Sequence, residues 1–449
     1  MSTKSSRPTR HSLGEDRGSV GDAGDGQGAE GDSEETGGMS VSVSNWQTQP
    51  LGELATTTSG GTPSRTRKDY YVGSIPWVKS GELNDDYIFD TEEHITEAGL
   101  KNSSAKLFPS GTVLIALYGA TVGKTSILRI NASTNQAVCG ITPGPELDGE
   151  YLRYHLISLR RELLSHRYGG AQPNISQQIV RNQKIAFPPL PEQKKIAHIL
   201  STVQRAIEAQ ERILQTTTEL KKALMHKLFT EGLRHEPQKP TEIGPIPESW
   251  EVVELGALAK VGNGSTPKRS NEAYWEGGTI PWLNSTKIHD RFITEAHQFV
   301  TPQAVKECHL PKVSPNSLLI AITGQGKTLG NSAITRIETC INQHLAYAQF
   351  YVAKVLPDFV LWFMQTRYDY LRSIAHGGGS TKGALTCGFL KTLSIPVPSR
   401  VEQGEIVTTF QSLEDKQDFA LRKQAALHDL FRTLLHHLMT AQIRTQHFE

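Results

Sequence analysis

Cysteine is scarce in this 449-residue chain: Cys139, Cys308, Cys340 and Cys387 are isolated, with no CxxC pair. That excludes a zinc ribbon or a disulfide framework and suits a reducing compartment. Long hydrophobic runs are missing as well. No stretch approaches the roughly 18 apolar residues of a membrane span, and the polar, glycine-rich start lacks the apolar core of a signal peptide. A cytoplasmic chain that does not contact membrane is expected. An excess of one charge is absent too, since 47 basic residues face 46 acidic ones. The balance is uneven along the chain. Residues 1–44 hold four basic and eight acidic residues, which leaves 43 against 38 for the rest, a mildly basic body compatible with DNA.

Catalytic signatures are also lacking. Gly119–Thr125 (GATVGKT) and Gly324–Thr328 (GQGKT) look like phosphate loops, but that loop needs a glycine five residues before the second one. Tyr118 and Ala321 stand at those places. A methyltransferase motif is not found: Phe187-Pro188-Pro189-Leu190 lacks the polar residue that would hold the target amino group. No nuclease cluster of acidic residues and lysine appears, and Cys308-His309 and His436-His437 are read as loop and helix-surface residues rather than metal ligands. No catalytic residue, no metal and no bound cofactor are therefore expected.

What is present is one unit written twice. Trp46 with Leu51-Gly52 corresponds to Trp250 with Leu255-Gly256, Thr62-Pro63 to Thr266-Pro267, and Ile75-Pro76-Trp77 to Ile280-Pro281-Trp282. Asn135-Gln136 matches Asn342-Gln343, Gly169-Gly170 matches Gly377-Gly378, and Glu192-Gln193 matches Glu402-Gln403. Residues 1–44, rich in Gly, Ser, Asp and Glu, form an acidic tail expected to be disordered. The first copy is expected to fold as a head over 45–190 and a spacer helix over 191–232. A linker at 233–249 with four prolines follows, then a second head over 250–398 and a second spacer helix over 399–443.

Each head mixes short apolar runs with turn residues, and Thr112–Leu117, Ser126–Ile130, Ala137–Ile141 and Ser317–Ile322 read as strands. One helix per head is expected through Leu152, Leu156, Leu159 and Leu163, and through Val360, Met364 and Leu371. In the first spacer a 4-3 ladder places Ile196, Leu200, Val203, Ile207, Leu214, Leu224 and Leu228 on one seam. Adding 210 to the ladder gives a second seam with Ile406, Phe410, Leu413, Ala420, Leu427, Phe431, Leu434 and Leu438. Helix one leads from head one to head two and helix two leaves head two, so facing seams require an antiparallel pair. The fold class expected is α+β: two similar heads separated by a two-helix antiparallel coiled coil with a pseudo-twofold axis.

Two unequal heads at a fixed separation suit an asymmetric bipartite site on a DNA duplex. Base and phosphate contacts call for Arg, Lys, Asn, Gln or His on loops. In head one these are Arg65, Arg67, Lys79, Lys124, Arg167, Gln172, Asn174 and Gln177. In head two they are Lys268, Arg269, Asn284, Lys287, Lys327, His376 and Lys382.

The repeated elements resemble the specificity subunits of type I restriction–modification systems. The stretches that carry the resemblance are Gly-Gly-Thr-Pro and Ser-Thr-Pro, the two Ile-Pro-Trp segments, Tyr118–Thr125 (YGATVGKT), Gly169–Ser176 (GGAQPNIS) and Pro188–Gln193 (PPLPEQ). Together they cover about Trp46 to Met439. The second copy departs from the pattern, reading His376–Gly383 (HGGGSTKG) where the first has PNIS. The resemblance implies two target-recognition domains, each reading half of a split double-stranded site, and spacers that dock two modification subunits using S-adenosylmethionine. It also implies restriction subunits using ATP and Mg2+. Two other classes stay open from the residues alone: a coiled-coil scaffold that binds only protein, and a stand-alone nuclease or ATPase.

Overall fold

A computed structural model of the chain describes residues 46–165, 174–324, 326–351, 354–377 and 383–445. Each head is built around a buried, mainly apolar strand, Val113–Ala116 (VLIA) in the first and Ser317–Ala321 (SLLIA, apolar after its first residue) in the second. Side chains of a strand alternate between faces. Val113 and Ile115 accordingly enter one core and Leu114 and Ala116 another. Leu318 and Ile320 divide from Leu319 and Ala321 in the same way. A sheet covered on both faces explains why no polar alternation is seen there. Truncating Ile115, which is wholly buried, to alanine costs about 2–5 kcal/mol.

The two five-stranded sheets share one order. In head one it runs Ala55–Ser59, Val138–Pro143, Val113–Ala116, Thr125–Leu128, Tyr87–Ile88. In head two it runs Ala259–Asn263, Leu345–Phe350, Ser317–Ala321, Ser332–Thr335, Phe292–Ile293. All neighbours are antiparallel except the last pair in each, which is parallel. A second, smaller sheet centres on the Ile-Pro-Trp strand, Ile75–Val78 or Ile280–Leu283.

Where one helix per head is expected, the structure has two: Gly149–Ser158 with Arg160–Ser165, and Pro357–Thr366 with Tyr368–Gly377. The break re-aims the second helix at the neighbouring hairpin. Arg160 Nε donates to the Gly123 carbonyl at 2.8 Å, and Arg372 donates to the Gly326 carbonyl. The expected proline linker is also corrected. Residues Gln238–Thr241 and Gly244–Pro247 pair as an antiparallel hairpin, turned at Gly244 with φ +108°. Prolines face each other there, Pro240 opposite Pro245, in a two-stranded ribbon where a missing N–H is tolerated.

Leu190–Glu231 forms the first rod helix, with Pro191 in its opening turn, and Arg400–Met439 the second, where the Ser399 hydroxyl accepts the Glu402 N–H at 3.3 Å. At 1.5 Å per residue each is about 60 Å long. Lys221 bonds Glu414 at 2.8 Å, Gln417 bonds Thr218 at 3.0 Å and Gln424 bonds Glu211 at 3.2 Å. In each pair the residue numbers total 635, the signature of an antiparallel register. The seams turn inward together: Ile196 and Leu200 share a core with Phe431, Leu434 and Leu438 at one end, Leu224 and Leu228 share one with Ile406, Phe410 and Leu413 at the other, and Val203, Ile207, Leu214, Ala420 and Leu427 lie between. None of these residues is exposed, whereas Ile213, Leu220, Phe419 and Leu421 outside the seam are. Not every layer is apolar. Gln210, Thr217 and Lys221 on the first helix and Gln417 and Gln424 on the second interrupt the apolar seam in the middle of the rod.

The heads grip opposite ends. Head one's core takes in Ile196, Leu200, Leu438 and Met439; head two's core takes in Leu228, Phe229, Ile406 and Phe410. The repeated Glu-Gln pair makes these joints. Gln193 accepts the Asp148 N–H at 2.8 Å and donates to Glu146 and Pro188 carbonyls. Gln403 accepts the Leu356 N–H at 2.7 Å and donates to Lys354 and Pro398 carbonyls. Glu402 accepts from Leu233 N at 2.8 Å and from the Trp250 indole at 3.2 Å, while Glu192 takes a two-pronged pair with Arg444.

Candidate nucleic-acid interface

The repeat motifs that lie far apart in sequence meet at one loop cluster on each head. Gly60 and Gly264 approach neighbouring backbone so closely that a Cβ would sit 2.3 Å from the Thr134 carbonyl oxygen in one and 1.9 Å from the Ile341 carbonyl oxygen in the other. Only glycine fits there. The Thr-Pro loop that follows is pinned by the tryptophan of the Ile-Pro-Trp strand: Trp77 Nε1 donates to Gly61 O at 3.0 Å, Trp282 Nε1 to Ser265 O at 3.2 Å. The Asn-Gln turn lies against it. Asn135 N–H donates to Val78 O and Asn342 N–H to Leu283 O, each at 2.9 Å. Each asparagine side chain closes its own turn, accepting Ala137 N–H or His344 N–H at 3.1 Å. The Thr62 hydroxyl donates to Gln136 Oε1, and Thr266 to Gln343 Oε1.

An arginine stacks on each frame. The Arg65 guanidinium lies 4.2 Å from the Tyr71 ring centre and 4.9 Å from that of Trp77; Arg269 lies 3.8 Å from Trp275 and 4.8 Å from Trp282. Their charges are handled differently. Arg65 pairs with Glu93, which raises the guanidinium pKa and holds the carboxylate below its usual range. Arg269 donates to the neutral Gln298 at 2.7 Å and meets no carboxylate among the described residues.

The other sequence candidates separate by what they already touch. Lys79 is bound by Glu92 and Glu93, which raise its pKa, and Arg67 by Asp69 two residues on. Lys287 is largely covered and held by Asp290 and Glu295. Gln177 is used at both ends, accepting from Ser59 Oγ and donating to Thr57 O, so it docks a short helix to the sheet. Asn284 caps the turn after its strand by accepting Thr286 N–H, and His376 Nδ1 faces the Arg372 carbonyl at 2.7 Å. Asn174 is exposed and bridges Tyr118. Lys124, half-buried, and Lys268 and Lys327, both exposed, have no ion pair among the described residues. Arg167, Gln172 and Lys382 lie outside the described residues. Gln136, Gln343 and His344, absent from the sequence candidates, are also exposed in this cluster; the sequence signal that marks the two glutamines is their repetition.

The two GKT segments are hairpin loops. Gly119–Lys124 joins Val113–Ala116 to Thr125–Leu128, with Ala116 and Lys124 bonded at 2.9 Å across it, and Gly119 and Gly123 at positive φ. Gly326–Asn331 joins Ser317–Ala321 to Ser332–Thr335. A phosphate loop runs from a strand into a helix, whose N-terminus supplies the dipole. Here a strand follows in both copies. Thr121 Oγ1 donates to Ser80 O at 2.7 Å, which sets the first hairpin beside the Lys79 turn. Among the described residues no cluster of three or more His, Cys, Asp or Glu is placed to hold a metal, and no helix is long and apolar enough to cross a membrane.

Residues 43–218 and 247–428 match the family model for the type I restriction modification DNA specificity domain. The chain is 28% identical over 316 residues to the type I restriction enzyme MjaIX specificity subunit of Methanocaldococcus jannaschii, covering 67% of this chain and 72% of that one. It is 22% identical over 408 residues to the MjaVIII specificity subunit of the same organism, covering 90% and 94%. Among solved structures, the type I restriction-modification system S subunit from M. genitalium matches with a TM-score of 0.57 at 18% identity, over 88% of this chain and 96% of that one. At that identity the likeness is one of fold.

Proposed function

Because the chain belongs to the type I restriction–modification DNA specificity family, with both copies of its repeat matched, we propose that it is the subunit that reads double-stranded DNA sequence for such a complex. Each head reads one half of an asymmetric bipartite site, and the rod sets the distance between the halves. The observation that carries this is the duplicated frame. Thr-Pro loop, Ile-Pro-Trp strand and Asn-Gln turn are held by the same bonds in both heads, while the side chains they present differ. The paired rod between the heads fits a spacer of fixed length.

In this reading the chain carries no catalytic group. Methyl transfer from S-adenosylmethionine belongs to modification subunits, and ATP-driven, Mg2+-dependent translocation and cleavage to restriction subunits. Two copies of the modification subunit dock on the rod. Leu220 and Leu430, offset by the same 210 residues as the seams, are both exposed and offer equivalent footholds on the two helices. The large exposed Phe419 and Leu421 nearby lie where a partner would cover them.

Purification of the chain with its modification partner, followed by binding to a library of duplexes, tests the proposal. Expected are two modification subunits per chain and selective retention of duplexes sharing two short sequences at one separation. Equal retention of all duplexes would leave a protein-only scaffold as the reading. Cleavage or ATP hydrolysis by the chain alone would make it an enzyme.

A further inference from the structure

The glutamines of the two Asn-Gln turns are fixed in the same way at the same place. In each, the side-chain oxygen is engaged by the threonine of the Thr-Pro loop, 74 residues earlier in head one and 77 in head two. In head two the amide nitrogen also faces a ring, with Gln343 Nε2 3.3 Å from His344 Nε2. An amide has two N–H groups. Both glutamines are exposed, and beyond the His344 contact of Gln343 their N–H groups meet no protein acceptor among the described residues.

A group held by the same bond and exposed in both heads is poorly suited to tell their half-sites apart. It meets what the half-sites share. On a duplex that is the sugar–phosphate backbone, which takes half or more of all protein–DNA hydrogen bonds and fixes register without carrying sequence. We infer that Gln136 and Gln343 are positioning residues that donate their free amide hydrogens to a backbone phosphate at equivalent places in the two half-sites. Thr62 and Thr266 act through them, since a hydroxyl bound to the amide oxygen fixes which end of the amide faces outward. The neighbouring side chains that differ between heads, such as Arg65 beside Glu93 against Arg269 beside Gln298, are then set at a constant distance from the base edges.

This inference rests on the proposed function, and the test separates the two. The assembled complex is made with the unaltered chain, Gln136→Ala, Gln136→Glu and the two matching changes at Gln343. Each is titrated with a duplex carrying the methylated site and with a scrambled duplex of equal length. Each alanine change is expected to weaken both duplexes by a similar factor, roughly tenfold for one hydrogen bond to a charged group, with the methylated sequence unchanged. The dependence on salt keeps its slope, because a neutral donor releases no counterion. Glutamate preserves the shape and the bond from threonine but turns a carboxylate toward phosphate, so it should weaken binding more than alanine. Alanine and glutamate variants that bind as the parent does, or glutamate binding better than alanine, would reduce these residues to loop supports. A change at one base of the methylated sequence would make them base readers and overturn the assignment. If the unaltered complex itself prefers no duplex, the functional reading fails, whatever the glutamines do.

Discussion

His155 lies 4% exposed in head one, stacked on Tyr151 with centroids 5.8 Å apart and its Nδ1 without a partner. Burial pushes its pKa down from 6.5 to about 4. The folded state therefore binds fewer protons than the unfolded chain between those values. The contribution of His155 to stability is expected to be full above pH 6.5 and to be lost as the pH drops toward 4, by on the order of 3 kcal/mol. Head two carries Phe363 at the equivalent place of its ten-residue helix. His155→Phe should fold and should flatten the acid limb of a stability–pH curve followed by urea midpoint; an unchanged limb would show that another group governs it. The two stacked arginines allow a second test at this scale. Arg65 is already neutralised by Glu93 and Arg269 is not. Arg269→Ala should lower the salt slope of duplex binding by about one, and Arg65→Ala by much less. Such differences were not legible in the sequence, because Glu93 and Gln298 are brought to their arginines by the fold and occupy no shared motif.

The rod is the element most fully legible in sequence. Helices expected over 191–232 and 399–443 span Leu190–Glu231 and Arg400–Met439, because a 4-3 seam, proline or serine at the start and Gly232 at the end all agree. The head helices are less legible. A periodic run of leucines does not show the break at Leu159, which serves the hydrogen bond of Arg160 to the Gly123 hairpin. Prolines at 237–247 read as linker, though a ribbon tolerates them. The register makes the ruler testable. The Gln424–Glu211 bond places the points after Gln210 and after Ala420 within about one helical turn of each other along the rod. Seven residues added at both keep the seam in frame and lengthen the rod by roughly 10 Å. The heads would separate by about three base pairs, at 3.4 Å each, and turn by more than a quarter of the roughly 10-base-pair helical repeat. The double insertion should keep both half-sequences, lengthen the spacer and weaken binding. Four-residue insertions should do worse, because they break the frame. Efficient methylation at the original spacing by the seven-residue variant would remove the rod from its role as ruler.

At the scale of the whole molecule, duplication accounts for both the architecture and the limits of what sequence reveals. The repeated residues turned out to be frame and joints: Trp77 and Trp282 pin loops, and Gln193 and Gln403 stitch the helices to the heads. Reading residues lie between them and have diverged, so they carry no internal signal. Separate cores in the two heads predict independent exchange. Replacing Trp46–Leu190 with the matching head of a related subunit should alter one half of the methylated sequence and leave the other intact; if both halves change, the heads do not read separately. The most direct measurement is methylome sequencing of a host that expresses this chain with its modification partner. Two independent heads on a rigid rod should yield a single asymmetric motif of two short sequences at one fixed separation, with a methylated adenine in each half. A continuous motif, two halves methylated at variable separations, or no motif at all would contradict it.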